Sequence, residues 1–160
     1  KKYFDLALKI LPKYLSNYID IKLSPVIEDY YSLFRGCRYK DIPLDRAYDF
    51  VYIDGPSYKA PSDNTLTFDF DFLHILKQSD RPISAIIDKR ISTCYVLQKV
   101  LGVHKVKYDS LRHQGFVNKC TRKDIRHFSL IEPSSAFEES FSFVKNSDLR
   151  LILKDFLNTQ

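Results

Sequence analysis

The chain has 160 residues, a formal net charge of +5, and a composition that is 44% hydrophobic and 28% charged. This size and balance indicate one soluble globular domain over residues 1–160. No apolar run approaches the roughly 18–20 residues that cross a bilayer, and the first residues do not have the pattern of a signal peptide. We therefore expect no membrane association and a cytoplasmic location.

The three cysteines, Cys37, Cys94 and Cys120, are far apart and form no CxxC pair. This scattered, odd-numbered set predicts reduced thiols in the cytosol, with no disulfide and no zinc site. The positive charge fits an ordinary basic surface. It also fits an anionic partner such as a nucleotide, a nucleic acid or a phosphorylated substrate.

The predicted elements in the first half of the chain alternate between helix and strand. Leucines and Phe4 at spacings of three and four predict a helix over 3–15, and alternating apolar residues predict a strand over 18–25. Residues 26–37 are predicted as a helix that Gly36 closes. A strand over 48–53, a loop over 56–65 and a helix over 68–78 follow.

The second half continues the alternation and then ends in a strand pair. An apolar strand is predicted over 83–88 and a helix over 92–102, which Gly102 ends. The remaining predictions are strands over 103–109 and 124–133, a linker over 134–140, and a closing helix over 147–157. Alternating helices and strands predict a mostly parallel α/β sheet, here with an antiparallel hairpin at one edge.

Two of the predicted strands end on a carboxylate. The strand 48–53 is followed by Asp54, Gly55 and Pro56, and the strand 83–88 ends on Asp88. Ligands of open α/β sheets bind outside the carboxyl ends of the strands, and neighbouring strands lie about 4.8 Å apart. Asp54 and Asp88 are therefore predicted to line one crevice.

The segment "YDFVYIDGPSY", a helix, "ISAIIDKR", another helix and a strand pair resembles the second half of class I S-adenosylmethionine-dependent methyltransferases. The resemblance covers about residues 18–133, and "YDFVYIDGP" is its most specific part. It implies a Rossmann-like three-layer sandwich, incomplete at the N-terminus. It also implies methyl transfer to a small polar molecule, with S-adenosylmethionine as cofactor.

The chain departs from this family at the cofactor site. The family needs a Gly-rich turn after its first strand, whereas the four glycines here lie apart at positions 36, 55, 102 and 115. We therefore expect the family's first strands to lie upstream of Lys1. We also expect this chain alone not to bind the cofactor tightly.

Asp54 and Asp88 are the predicted catalytic residues, with three alternatives open for Asp54. It is a general base for a substrate hydroxyl, a ligand of a divalent cation as in metal-dependent O-methyltransferases, or a cap of the turn at Gly55. Lys89 follows Asp88 where the resemblance implies a further oxygen ligand, which disfavours the metal.

Basic and aromatic residues near these carboxylates are candidates for substrate binding. Lys89 and Arg90 can hold a phosphate or carboxylate, pair with Asp88, or point to solvent. The remaining candidates are Tyr58 and Lys59 on the loop after strand 48–53, and His113 in a polar loop.

Two further readings of the sequence remain. Asp69 and Asp71 in "FDFDF" suggest phosphate transfer only weakly, and they are better explained as the first turn of a helix. The second reading is functional: instead of an enzyme, the chain is a Rossmann-like binding module for a protein or a nucleic acid. The most basic stretch, 112–127, would form that surface.

Overall fold

The computed structural model describes residues 2–32 and 34–125. Within them the chain forms three α-helices and seven strands, besides short 3₁₀ turns at Lys13–Leu15 and Arg122–Asp124. The helices are α1 (Lys2–Ile10), α2 (Asp71–Leu76) and α3 (Ile91–Leu101). The strands are β1 (Val26–Tyr31), β2 (Phe34–Tyr39), β3 (Phe50–Ile53), β4 (Phe68–Asp69), β5 (Ile83–Asp88), β6 (Val106–Asp109) and β7 (Gln114–Cys120).

The strands form two separate sheets. The first sheet has the order β1-β2-β4, in which β1 and β2 are an antiparallel hairpin and β2 pairs with the two-residue β4 in parallel. The second sheet has the order β3-β5-β7-β6. In it β3 and β5 are parallel, whereas β7 runs antiparallel to both of its neighbours.

The predicted fold class is wrong. The described residues form a small mixed α/β fold in which antiparallel pairing predominates and helices are few, not a mostly parallel Rossmann-like sandwich. The prediction that 48–53 and 83–88 are parallel neighbours is confirmed. The predicted edge hairpin is wrong in its placement, because β7 starts at Gln114 and inserts between β5 and β6.

Several predicted elements also differ from the structure. Residues 26–37 form the β1–β2 hairpin rather than a helix, and residues 18–25 form no strand. The helix predicted over 68–78 divides into β4 and the shorter α2. The predicted strand 124–133 starts within the turn Arg122–Asp124, and its residues from 126 onward lie outside the described residues. The predicted linker 134–140 and helix 147–157 also lie outside them.

The core is a contiguous cluster formed by α2, α3 and the inner faces of both sheets. Its fully buried side chains include Phe68, Phe70, Phe72, Leu73, Leu76, Ile83, Ile87, Val96, Leu97, Val100 and Val106. Gly115 allows α3 to approach β7 closely, since a Cβ at this position would overlap the Sγ atom of Cys94. The apolar contacts thus fix α3 against one face of the second sheet.

None of the helices in the described part of the chain combines the length and the apolar character that a membrane span requires.

Candidate functional site

A cleft with a volume of about 370 Å³ lies where the ends of β2 and β3 meet the start of α2. Two sheets and a helix thus supply its walls, and a rigid core lies behind it. The residues that line it include Tyr39, Val51, Asp54, Gly55, Asp71 and Ile75. This composition combines apolar walls with two carboxylates and a phenol, which is the usual chemistry of a small-molecule site.

Asp71 reaches the cleft because the segment Phe68–Phe72 alternates between aromatic and acidic residues. The three phenylalanines are fully buried and anchor the segment in the core. Asp71 begins α2, and its Oδ1 accepts a hydrogen bond of 2.8 Å from the backbone N–H of Tyr39. The aromatic anchors therefore force two carboxylates to be buried beside each other.

Asp69 lies behind Asp71 and is 2% exposed. Its Oδ1 accepts a hydrogen bond of 3.0 Å from the N–H of Asp71, whereas its buried Oδ2 has no hydrogen-bond partner in the described structure. Thr93 on α3 accepts a hydrogen bond from the Asp69 backbone N–H at 2.9 Å. Helix α3 thus fixes the acidic segment from the core side.

Burial raises the pKa of both carboxyl groups. Burial raises the pKa of Asp71 from the usual 3.8 to about 7. Burial, followed by repulsion from Asp71, raises the pKa of Asp69 well above 3.8. The positive charge of Arg90 opposes both increases. Both groups therefore hold a proton more tightly than an ordinary aspartate, and Asp71, which lines the cleft, titrates near neutral pH.

Arg90 holds the turn that carries Asp54. Its Nη1 donates to the carbonyl oxygen of Pro56 at 2.6 Å, and its Nη2 donates to that of Asp54 at 2.9 Å. The buried Nε has no partner within the described residues. Since two of its nitrogens bind backbone carbonyls, Arg90 positions the turn at Gly55, and its predicted substrate contact stays a prediction.

Tyr39 closes one side of the cleft. Burial raises the pKa of its hydroxyl, and the negative charges of Asp71, Asp69 and Asp54 act in the same direction. A Cβ atom at Gly55 would lie 2.6 Å from the Tyr39 hydroxyl oxygen. Glycine at position 55 thus permits the close approach of this phenol, which stays protonated at neutral pH and can donate a hydrogen bond.

Asp54 and Asp88, the predicted catalytic pair, follow the paired residues Ile53 and Ile87 at the same end of the parallel strands. Only Asp54 lines the cleft. Asp88 pairs with Gln114 and belongs to the face of the sheet that α3 does not cover. Their roles as catalytic groups stay predictions.

The other predicted residues lie away from the cleft walls. Tyr58 and Lys59 are exposed on the loop after β3, where Lys59 forms an isolated bridge with Leu66. The backbone N–H of Lys89 donates to the carbonyl oxygen of His113 at 2.9 Å, so these two residues meet at the end of β5. Their predicted roles in substrate binding stay predictions.

Sequence reasoning missed Tyr39 and Asp71 as site residues. The available signal was the alternation in "FDFDF", but it was ambiguous, because alternate residues of a half-buried strand can also face solvent. Tyr39 offered no such signal because its position depends on the pairing of β2 with β1 and β4.

The described residues do not fit the cofactor that the resemblance implies. Gly36 packs against Phe68 and Phe70, Gly55 against Tyr39 and Gly115 against Cys94, while Gly102 ends α3. Every glycine is therefore used in packing or in capping, and none forms a cradle of backbone donors. A group of three or more possible metal-ligating side chains is also absent from the described part of the chain.

Comparisons of the chain with known protein families, with curated proteins and with solved structures found no match.

Proposed function

We propose that the cleft is an acid–base site that accepts a proton from a hydroxyl group of a small polar substrate. The observation that carries this proposal is the carboxyl group of Asp71, which lines the cleft and has a pKa of about 7. A general base works best when its pKa lies near the working pH, because it is then both available and basic enough.

The roles of the surrounding residues follow from their positions. A substrate hydroxyl donates its hydrogen bond to Asp71, and the proton passes to that carboxylate as the substrate oxygen forms its new bond. The Tyr39 hydroxyl donates a hydrogen bond that orients the substrate. Asp54, on the turn that Arg90 holds, accepts hydrogen bonds from further hydroxyl groups. Burial keeps the proton affinity of Asp71 high.

The resemblance carried by "YDFVYIDGPSY" makes methyl transfer to that oxygen the reaction we propose. S-adenosylmethionine would supply the methyl group. Because the described residues do not fit this cofactor, the proposal concerns the acceptor side of the reaction. It assigns Asp71, rather than Asp88, as the group that takes the proton.

A pH titration of the protein, monitored by nuclear magnetic resonance, tests this assignment. The carboxyl carbon signals of aspartate are followed from pH 5 to 9, alone and with catechol or methyl α-glucoside as hydroxyl probes. We expect a carboxyl group with a pKa near 7 that is lost in Asp71→Asn. Probe binding should perturb the amides of Tyr39, Gly55 and Asp71, with a pH dependence that disappears in the same variant.

The variant Asp88→Asn is the matched control, since it removes a carboxylate at the end of the neighbouring strand. It should leave both the titration near pH 7 and the probe contacts intact. Loss of the pH dependence in Asp88→Asn but not in Asp71→Asn would overturn the assignment. The same holds if neither probe perturbs the residues of the cleft.

A further inference from the structure

The second sheet has one covered face and one open face. Helix α3 and the core cover the face that carries Val51, Ala85, Val117 and Val106, which are paired across the four strands. The opposite face carries the paired residues Tyr52, Ile86, Phe116 and Lys107. In the described structure three of these side chains are exposed, and Ile86 is partly buried.

The open face carries aromatic side chains that solvent reaches. Phe50 is 53% exposed, Tyr52 is 56% exposed and Phe116 is 36% exposed. Phe50 and Tyr52 are two residues apart on β3, and Phe116 lies two strands away, at roughly 10 Å. Three rings therefore stand on one side of a rigid four-stranded sheet, an arrangement that folding alone would not favour.

Part of the basic charge of the chain lies beside these rings. Residues 103–125, which contain β6 and β7, carry six lysines and arginines against two aspartates. Three of these cations, Lys105, Arg112 and Arg122, pair with carboxylates, whereas Lys107 and Lys119 have no carboxylate partner among the described residues. Lys107 is exposed in the same cross-strand row as Phe116. The backbone N–H of Lys119 donates to the Ser84 hydroxyl, and Ser84 pairs with Phe50.

We infer that the open face binds single-stranded nucleic acid, with bases stacked on Phe50, Tyr52 and Phe116. Aromatic rings stack on any base, and neighbouring lysines attract the phosphates. Lys107 and Lys119 beside the rings are complementary to the phosphates of a polyanion. This site lies on the second sheet and adjoins the acid–base cleft at Tyr52, which also lines that cleft. The inference does not depend on the acid–base chemistry.

The charges on this face also predict how the bound nucleic acid strand is oriented on the sheet. Asp88, Gln114 and Asp109 form the row at one end of the sheet, whereas Lys119 lies beside Ser84 at the other end. Phosphates are repelled by the acidic row. The nucleic acid backbone therefore runs along the Lys107 and Lys119 side, away from Asp88.

Fluorescence anisotropy with labelled (dT)20 and (U)20 tests the inference at 50 and 200 mM salt. We expect binding to both, much weaker binding at the higher salt, and no binding of the mononucleotide UMP. Tyr52→Ala and Phe116→Ala should each weaken binding at least about fivefold. Lys107→Ala should lower the slope of log affinity against log salt by about one.

The controls are Tyr18→Ala, which removes a tyrosine that is 85% exposed on the N-terminal segment, and Lys9→Ala on α1. Both should bind like the unchanged protein. The inference is overturned if neither oligonucleotide binds at 50 mM salt, or if the aromatic variants bind as tightly as the controls. A dimer in light scattering that Tyr52→Ala dissociates would also overturn it, because the face would then bind a second copy.

Discussion

Replacing Asp71 by asparagine should change how the free energy of unfolding depends on pH. The size of this change measures how far the pKa of the buried Asp71 carboxyl group is raised. The folded-state pKa of Asp71 is raised from 3.8 to about 7, so the folded protein binds more protons than the unfolded chain between these values. The contribution of Asp71 to the free energy of unfolding therefore falls as pH rises through this window. Asparagine keeps an oxygen that can accept the hydrogen bond from the Tyr39 N–H, but it cannot ionise.

The expected magnitude follows from the pKa values. From pH 5 up to the pKa of about 7, each pH unit lowers the free energy of unfolding of the unchanged protein by about 1.4 kcal/mol relative to the variant. The total difference over this range is about 3 kcal/mol. Urea unfolding at pH 5, 6, 7 and 8, followed by circular dichroism, measures this. Burial lowers the pKa of His74, which acts in the opposite direction, but His74 is present in both proteins and its effect cancels.

The control for this measurement is Asp63→Asn. Hydrogen bonds from Arg35 and Thr65 lower the pKa of Asp63, so this carboxylate is ionised throughout the range from pH 5 to 8. Its replacement should lower stability equally at each pH. The reasoning is refuted if the advantage of Asp71→Asn over the unchanged protein is the same at pH 5 and pH 8, or shrinks as pH rises.

Three further outcomes test the packing and the cofactor assignment. Gly115→Ala should lower the free energy of unfolding by about 1–3 kcal/mol, because the new methyl group overlaps Cys94 Sγ. The double variant with Cys94→Ala should recover part of this free energy, and an equal loss in the single and the double variant would contradict the explanation. The three buried cysteines should react slowly with a thiol reagent in the folded protein and fully in urea. The reason is that burial raises the pKa of Cys94 to about 12 and that of Cys120 to about 11. Fast reaction of the native protein would count against the structure. Calorimetry should find no S-adenosylmethionine binding tighter than about 1 mM, and micromolar binding would show that the cofactor site was misplaced.

Some elements could be predicted because local sequence and tertiary packing favour the same structure. The apolar run Ile83–Asp88 is a central strand, and β-branched residues suit that position. Helix α3 ends at Gly102, which has a φ of 98° that favours glycine. The parallel pairing of β3 and β5 followed from two such strands separated by a helical segment.

The hairpin β1–β2 shows where the sequence was ambiguous. The apolar residues Val26, Ile27, Tyr30, Tyr31 and Phe34 recur at helical spacing, which is compatible with the helix predicted over 26–37. The same residues are β-branched or aromatic and also suit strands. Parallel pairing of Gly36 and Cys37 with β4, which lies far along the chain, contributes to the extended form. Such a long-range contact leaves no local signal.

The candidate site divides in the same way. The sequence by itself determined that Asp54 follows a strand and turns at Gly55, and that two aspartates alternate with three phenylalanines. Only the tertiary structure decided that Asp71, rather than Asp88, shares a cleft with Asp54 and Tyr39. Only the tertiary structure could also give Asp71 its raised pKa, because the pKa of a carboxyl group depends on its burial and on neighbouring charges. Those neighbours come from β2, β4 and the start of α3, which are distant in the chain and meet only when it folds.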